Sequence, residues 1–340
     1  MTRDDGLDAS ASPRGDRPAT TGRRHRVLLT GANSSIGRLL AHELDRDQAA
    51  TDSVLALGTD EQPYYFRDYH EERFDYRVVN LAKTRQQREL FLSEAMKRAQ
   101  IDTVVHLGFL APSRSGQGET PLEAAVEGTR QFLNHCLETP SITKFVFLSG
   151  SLVYRLRPWT SACIEEDSEL NFDPGVDPWT RARVDADMLH RAKMDNGRMR
   201  IIVLRPAPIL GRHVSSHLNN FLESYVVTTL AGFDPMMRPI HVFDLRDAIR
   251  VSIRREVQGV FNVAGPDILP LSELCRLSGR PVVSAPYPVV RRLNRIQRAF
   301  GLSACNLDAE PAWLKHSCLL DTHKIEAKMG FRPEHHIKLG

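Results

Sequence analysis

From residue 26 onward, short apolar runs alternate with segments whose apolar residues recur every three or four positions. RVLLT (26–30), SVLAL (53–57), YRVVN (76–80), DTVVHLG (102–108), KFVFLS (144–149) and RIIVLRP (200–206) read as six strands. Between the first two, Ile36, Leu39, Leu40 and Leu44 share one helical face. Three further helices carry start signals. Thr84 and Gln87 are spaced as a capping box, and so are Thr120 and Glu123 with Pro121 between them; Asp177 precedes Pro178 in the same manner. Each strand is apolar on both of its faces, as a sheet covered by helices on both sides requires. The alternation therefore predicts an α/β fold: right-handed βαβ units, a doubly wound parallel sheet, and ligands beyond the carboxyl ends of the strands.

After Pro206 the alternation weakens. PIHVFDLRDAIRVSI (239–253) and GVFNVAG (259–265) predict a strand, a helix and another strand returning to the sheet, while the remainder is rich in Pro and Arg. The expected division is a disordered tail over 1–24, a nucleotide-binding domain over 25–205 plus about 239–264, and a smaller C-terminal substrate lobe over about 206–238 and 265–340.

Charge and cysteine usage narrow the function classes. A net charge of +3 over 340 residues is too small for a chain that binds nucleic acid by composition. No run of apolar residues is long enough for a transmembrane helix, and the N-terminus lacks the apolar core of a secretory signal. Cys136, Cys163, Cys275, Cys305 and Cys318 are scattered, without C-x-x-C spacing, which points to a reducing, cytoplasmic setting and away from a disulfide framework. No metal site is expected: His335 and His336 are adjacent, and neighbouring side chains on a regular element diverge. In VVRRLNRIQRAF, Val289, Leu293, Ile296 and Phe300 share one helical face, with Arg291, Arg292, Arg295 and Arg298 mostly on the other. A lobe helix with a solvated basic face is the expected arrangement, and an in-plane helix on an anionic membrane is the alternative. The arginines of the tail, Arg23, Arg24 and Arg26, are a second basic element that an anionic surface would attract.

The turn after the first strand, TGANSSIG, holds Gly31 and Gly37 where a Rossmann fingerprint has its first and third glycines. Ser34 and Ser35 stand in the region of the second. A serine carries a Cβ, so the backbone approaches a pyrophosphate less closely, but its hydroxyl can bond a phosphate oxygen. Asn33, Ser34, Ser35 and Ile36 complete the expected phosphate turn. The ribose-reading acid belongs near Leu57 and Gly58; Asp60 is the nearest carboxylate, slightly late, and no arginine sits there to select a 2′-phosphate. NAD or NADP is the expected cofactor, with NAD slightly favoured.

With these residues in view, the chain resembles the extended short-chain dehydrogenases/reductases, the NAD-dependent epimerase/dehydratase family that includes the UDP-glucose 4-epimerases. The resemblance covers about residues 26–335. TGANSSIG is similar to that family's T-G-x-x-G-x-x-G. VVNLAK is similar to its third-strand motif, which places Asn80 and Leu81 at the adenine ring. DTVVHLGF resembles D-x-V-x-H-L-A-A and brings Leu107, Gly108 and Phe109 to the cofactor. VEGTRQFL, FVFLSGSLVY, VLRPAPILG, IHVFDLRDAI, GVFNVAG and DTHKIEAKMGFRP follow the later motifs in order. The resemblance implies a nucleotide sugar or related alcohol as substrate, hydride transfer as the chemistry, and a homodimer formed through the helices holding Phe132 and Trp179.

The chain departs from the family at the catalytic positions. The resemblance implies a Tyr and a Lys, spaced Y-x-x-x-K, and a Ser or Thr; here Trp179, Arg183 and Gly150 occupy those places. Tryptophan has an N–H donor and no exchangeable acid, and arginine stays protonated, so the acid/base site is atypical or degraded. Ser149, whose neighbourhood lines the cofactor in the family, Ser151 and Tyr154 are the candidate substitutes, and Arg183 can still bond a ribose or phosphate. His106 reads as a core histidine and Asp187 as half of a salt bridge; Arg205 and His241 are candidates for an acidic substrate group. The alternative to an enzyme is a non-catalytic nucleotide-binding regulator or accessory protein.

Overall fold

A computed structural model describes residues 22–66, 68–107, 122–212, 214–307 and 312–338, with the backbone alone at 196. Seven parallel strands form the central sheet: β1 (His25–Thr30), β2 (Thr51–Gly58), β3 (Phe74–Val78), β4 (Thr103–His106), β5 (Lys144–Leu148), β6 (Arg200–Pro206) and β7 (Gly259–Val263). Their order is β7-β6-β5-β4-β1-β2-β3, so the direction of winding reverses between β1 and β4. The doubly wound sheet expected from the sequence is present, with the fragment GVFNVAG as its seventh, edge strand. The strand expected at the start of 239–253 is Ile240–His241, and it pairs with Ile209–Leu210 outside the central sheet.

Strand residues alternate between two cores. Val27, Leu29, Val54, Ala56, Val105, Val146 and Ile202 face one side and pack with Ile36, Leu40 and Leu44 of α1 (Ser35–Arg46). Leu28, Leu55, Val104, Phe145, Phe147, Ile201 and Val203 face the other and meet Phe132 and Leu133 of a later helix. This accounts for the unbroken apolar runs in the sequence.

The helix predicted from Thr84 is two helices, α2 (Thr84–Leu92) and α3 (Glu94–Ala99). Ser93 interrupts it: its hydroxyl accepts from Met96 N–H at 3.2 Å as an N-cap and donates to the Leu90 carbonyl. The capping box at Thr84 and Gln87 is also replaced. Lys83 is the N-cap residue, without a side-chain bond, and Gln87 is buried, its amide donating to the carbonyls of Leu81 and, at 2.8 Å, Gly128. A buried amide with two carbonyls in reach satisfies more orphaned groups there than it would at the helix end. The described part of the next helix, α4, is Leu122–Glu138; the start signals at Thr120 and Pro121 lie outside the described residues. Phe132 on α4 is fully buried against Phe91, His106 and Phe145, so its own side chain belongs to the core. Asp177 caps α5 (Pro178–Arg191) as read, accepting from Thr180 N–H at 3.0 Å.

The remaining helices are α6 (His217–Leu222), α7 (Val242–Arg254), α8 (Leu271–Leu277), α9 (Tyr287–Ala299) and α10 (His323–Met329). A third core, built from Leu218, Phe221, Leu230, Leu274, Val290 and Trp313 among others, lies wholly in the C-terminal half. The chain returns to the first core at Ile325, Met329 and Phe331. Five cysteines are unpaired thiols, four of them buried. His335 bonds Asp244 and His336 bonds Asp267, two different carboxylates. No helix among the described residues is long and apolar enough to cross a membrane.

Two imidazoles sit inside the second core. His106 bonds Thr30 Oγ1 at 2.7 Å, and His190 stacks on Phe147 with ring centroids 3.8 Å apart. Burial pushes His106 down to about 3 and His190 down to about 4, so both are neutral in the fold. An unfolded chain protonates them near the ordinary 6.5. Their contribution to stability is therefore complete above that value and is lost as pH falls toward the folded values, by about 1.4 kcal/mol per pH unit for each imidazole. Urea unfolding between pH 7 and pH 4.5 measures this, and His190→Phe is expected to remove about one proton from the pH dependence.

Candidate functional site

The turn between β1 and α1 is tight for reasons visible at each glycine. Gly31 has φ +70°, in the left-handed region, and a Cβ there would press on Leu107 at 3.2 Å. A Cβ at Gly37 would lie 2.2 Å from the Gly31 carbonyl oxygen, so only glycine allows α1 to start this close to the turn. Ser34 is the N-cap residue and its Oγ accepts from Gly37 N–H at 2.9 Å. Accepting that bond leaves the Ser34 hydroxyl proton for another oxygen. Ser35 and Ile36 follow in the first turn of α1, whose N-terminal dipole is positive. Leu107 is buried behind the turn and its N–H donates to Thr30 Oγ1 at 3.2 Å. Gly108 and Phe109 lie outside the described residues.

At the end of β2 two side chains occupy the place where the expected carboxylate would start. A Cβ on Gly58 would lie 1.7 Å from Asn33 Oδ1 and 2.1 Å from the Tyr76 hydroxyl. That hydroxyl sits 2.7 Å from Asn33 Oδ1 and 2.7 Å from the Asp60 carbonyl oxygen. Asn33 is thus held toward the end of β2, and Asp60 is exposed, engaged there through its backbone. Tyr76 was not legible as a site residue, because on sequence it is one more aromatic in a strand. Arg38, lying 5.4 Å over the ring of Tyr65, is a cation at this end that spacing did not flag. Asn80 ends just past β3, its Oδ1 accepting from Ala82 N–H at 2.9 Å in an Asx turn, and Leu81 is half-buried beside it.

The catalytic positions of the resemblance are brought together. A Cβ on Gly150 would lie 3.4 Å from an Arg183 guanidinium nitrogen, an ordinary contact. Gly150 has φ 176°, extended backbone that any residue adopts. Arg183 is pulled below the usual arginine value by burial, with Asp177 opposing, and it stays charged at neutral pH. Trp179, one turn earlier on α5, is 38 % exposed. His217, at the start of α6, was missed in the sequence because it lies in the lobe; burial first and the Arg183 charge second push it down to about 4.

Two of the three candidate substitutes, Ser149 and Tyr154, are committed elsewhere. Ser149 Oγ donates to Asp187 Oδ2 at 2.6 Å. Asp187 receives Arg205 through both oxygens, at 2.6 and 2.9 Å, with both side chains fully buried. Arg205 also donates to the Tyr154 hydroxyl and the Glu166 carbonyl, each at 2.9 Å, and Tyr154 donates to Asn262 Oδ1 at 2.6 Å. Burial pushes Tyr154 up to about 12 despite Arg205 beside it. Ser151 is buried in the short helical turn after β5. Arg205, suggested above as a contact for an acidic group, is instead spent on Asp187 and has no exposed surface. His241 caps α7 and stacks on His335.

Removing one charge of this dry pair strands the other. Asp187→Asn is expected to cost about 3–5 kcal/mol of stability, read as a lowered midpoint in chemical unfolding, whereas Asp185→Asn on the exposed side of α5 is expected to leave the midpoint within about 0.5 kcal/mol.

Comparisons with known proteins agree with the geometry. The model of the NAD dependent epimerase/dehydratase family matches residues 27–264. An uncharacterized protein of Mycobacterium tuberculosis (strain ATCC 25618 / H37Rv) is 27% identical over 252 residues, 73% of this chain, and the match spans 66% of that relative's length. Among solved structures, dTDP-glucose 4,6-dehydratase from Bacillus anthracis in complex with NAD superposes with a TM-score of 0.65 at 14% identity, over 91% of each chain. UDP-glucuronic acid 4-epimerase from Bacillus cereus in complex with UDP-glucuronic acid and NAD gives a TM-score of 0.63 at 16% identity, over 91% of this chain and 94% of that one. At these identities the superpositions speak for the fold, and the sequence model speaks for descent: this chain belongs to the NAD-dependent epimerase/dehydratase family.

Proposed function

We propose that this protein binds NAD(H) or NADP(H) at the β1–α1 turn, with a nucleotide sugar or related alcohol beside it, and that it works without the family's Tyr-Lys proton relay. One observation carries the reading: a phosphate turn that keeps the glycines its geometry demands stands beside Gly150, Trp179 and Arg183 at the three relay positions. Gly31, Asn33, Ser34, Ser35, Ile36 and Gly37 would hold the pyrophosphate and adenosine. Asp60, Asn80, Leu81 and Leu107 would line the same end, and Ser149 and Arg183 the nicotinamide end. The turn suits a pyrophosphate because Gly31 takes the left-handed conformation, Gly37 lets α1 start against the turn backbone, and the positive N-terminus of α1 faces the same end.

A nicotinamide, when bound, supplies hydride exchange at its ring. The alcohol that exchanges a hydride must also lose or regain a proton, and this chain's residues are poorly suited to move it. Tyr154 is buried, bonded on both sides and held near 12. Ser149 commits its one O–H to a hydrogen bond with Asp187. Trp179 only donates, and Arg183 holds its charge, which suits it to a ribose hydroxyl or a phosphate oxygen. The best-supported role is therefore a cofactor-sensing regulator or accessory protein. Slow hydride transfer is the second reading, with His217, an imidazole held neutral at about 4 by burial and the Arg183 charge, as a weak base.

Titration with NAD, NADH, NADP and NADPH, read by tryptophan fluorescence, is expected to show saturable binding of at least one, lost in Gly37→Val. Binding of none overturns the proposal. Restoring the relay with Gly150→Ser, Trp179→Tyr and Arg183→Lys is expected to raise turnover on a nucleotide-sugar panel by roughly a hundredfold or more. Wild-type turnover abolished by His217→Gln would instead favour the second reading.

A further inference from the structure

A dinucleotide-binding sheet ordinarily reads the adenosine ribose with an acid anchored at the end of its second strand. In this chain that place is Gly58, and Asn33 and Tyr76 fill the space a side chain would need. The Tyr76 hydroxyl, 2.7 Å from both Asn33 Oδ1 and the Asp60 carbonyl oxygen, ties the phosphate turn to the loop after β2. Two exposed charges flank that tie. Asp60 stands two residues past Gly58, and its carboxylate is left to solvent while its backbone is held. Arg38 follows Gly37 in the first turn of α1, and its guanidinium lies 5.4 Å over the ring of Tyr65, in the same loop.

The two charges converge without pairing. Both are felt at the Tyr65 hydroxyl: burial raises it above its ordinary value, Arg38 lowers it, and Asp60 raises it. Among the described residues neither side chain is in ion-pair contact, with the other or with any opposite charge. Glu61 adds a second exposed carboxylate to the loop, so the cation does not stand in a purely basic setting. A reader anchored in the strand rejects the wrong ligand because it is then left buried and unpaired. Exposed side chains carry no such penalty: whichever of the two a ligand does not use turns back to water, where solvent and salt screen it.

We propose that Arg38 and Asp60 read the 2′ position of the adenosine ribose between them, the guanidinium taking a 2′-phosphate and the carboxylate a 2′-hydroxyl, so that the chain binds NADP and NAD with similar affinity. A guanidinium presents paired N–H donors to phosphate oxygens, and a carboxylate accepts from a hydroxyl. The exposed carboxylates keep the site from favouring NADP outright, and Arg38 keeps it from excluding NADP. The inference rests on nucleotide binding at the β1–α1 turn and adds to it which residues set the choice of cofactor.

Calorimetric titration of the full chain with NAD, NADP, adenosine 5′-monophosphate and adenosine 2′,5′-bisphosphate tests it. NAD and NADP are expected to bind within about tenfold of each other. Arg38→Ala is expected to weaken NADP and the bisphosphate by about tenfold or more, and to leave NAD and the monophosphate nearly unchanged. Asp60→Asn is expected to shift the ratio the other way, toward NADP. Both sites are exposed, and an unchanged unfolding midpoint checks that each variant folds. A wild-type preference beyond about tenfold in either direction overturns the proposal. So does an Arg38→Ala or Asp60→Asn variant that keeps the wild-type ratio. Binding of none of the four ligands overturns the nucleotide reading and this inference with it, whereas binding of NAD without NADP overturns this inference alone.

Discussion

The ion pair between Arg205 and Asp187 is the contact on which the site depends. Two charges taken fully out of water are costly unless nearly every donor and acceptor is matched. Here the matching is close: the carboxylate receives two guanidinium nitrogens and the Ser149 hydroxyl, and the guanidinium reaches Tyr154 and the Glu166 carbonyl. The network runs on to Asn262 on β7, whose side chain donates to the Ile164 carbonyl and whose N–H donates to Glu166 Oε1. It therefore joins α5, the end of β5, β6, β7 and the loop over 164–166 at one buried point. Each side chain recruited into it is withdrawn from chemistry.

That withdrawal decides between ways of reading a divergent family member. A lost tyrosine could have been replaced in space by another acid from the end of β5. Tyr154 and Ser149 are close in sequence and on the correct edge of the sheet, yet the network fixes the proton of each. Arg183 near Gly150 and Trp179 one turn earlier on α5 carry groups that hold a ligand better than they shuttle a proton. The turn at β1–α1, by contrast, keeps Gly31, which takes a left-handed conformation, and Gly37, whose Cβ would collide with backbone. Recognition and proton transfer rest on separate constraints: the turn keeps its first and third glycines, with serines in the region of the second, whereas none of the three relay positions keeps the family's residue.

Much of the fold was legible because it depends on local rules. Apolar runs bounded by caps marked the strands and helices, and βαβ handedness then left few topologies. The misread elements were those where a tertiary partner outbid a local one. Gln87 left a capping box for two buried carbonyls, and Ser93 split a helix that periodicity alone would continue. The capping signal at Asp177 and Pro178 had no such competitor, and it held.

The sequence by itself determined the sheet, the phosphate turn, and the absence of Tyr and Lys from their family positions. These follow from residue type and short-range spacing. Only the tertiary structure decided that Gly58 faces Asn33 and Tyr76, that Tyr154 is spoken for, that the Arg183 charge is felt at His217, and that the apolar stripe of α9 points outward. In each case the deciding partner is distant in the chain, or the deciding quantity is which face of an element is buried. Periodicity reports that a helix has two faces; the hydrogen bonds of Asn294 and Gln297 settle which one turns inward.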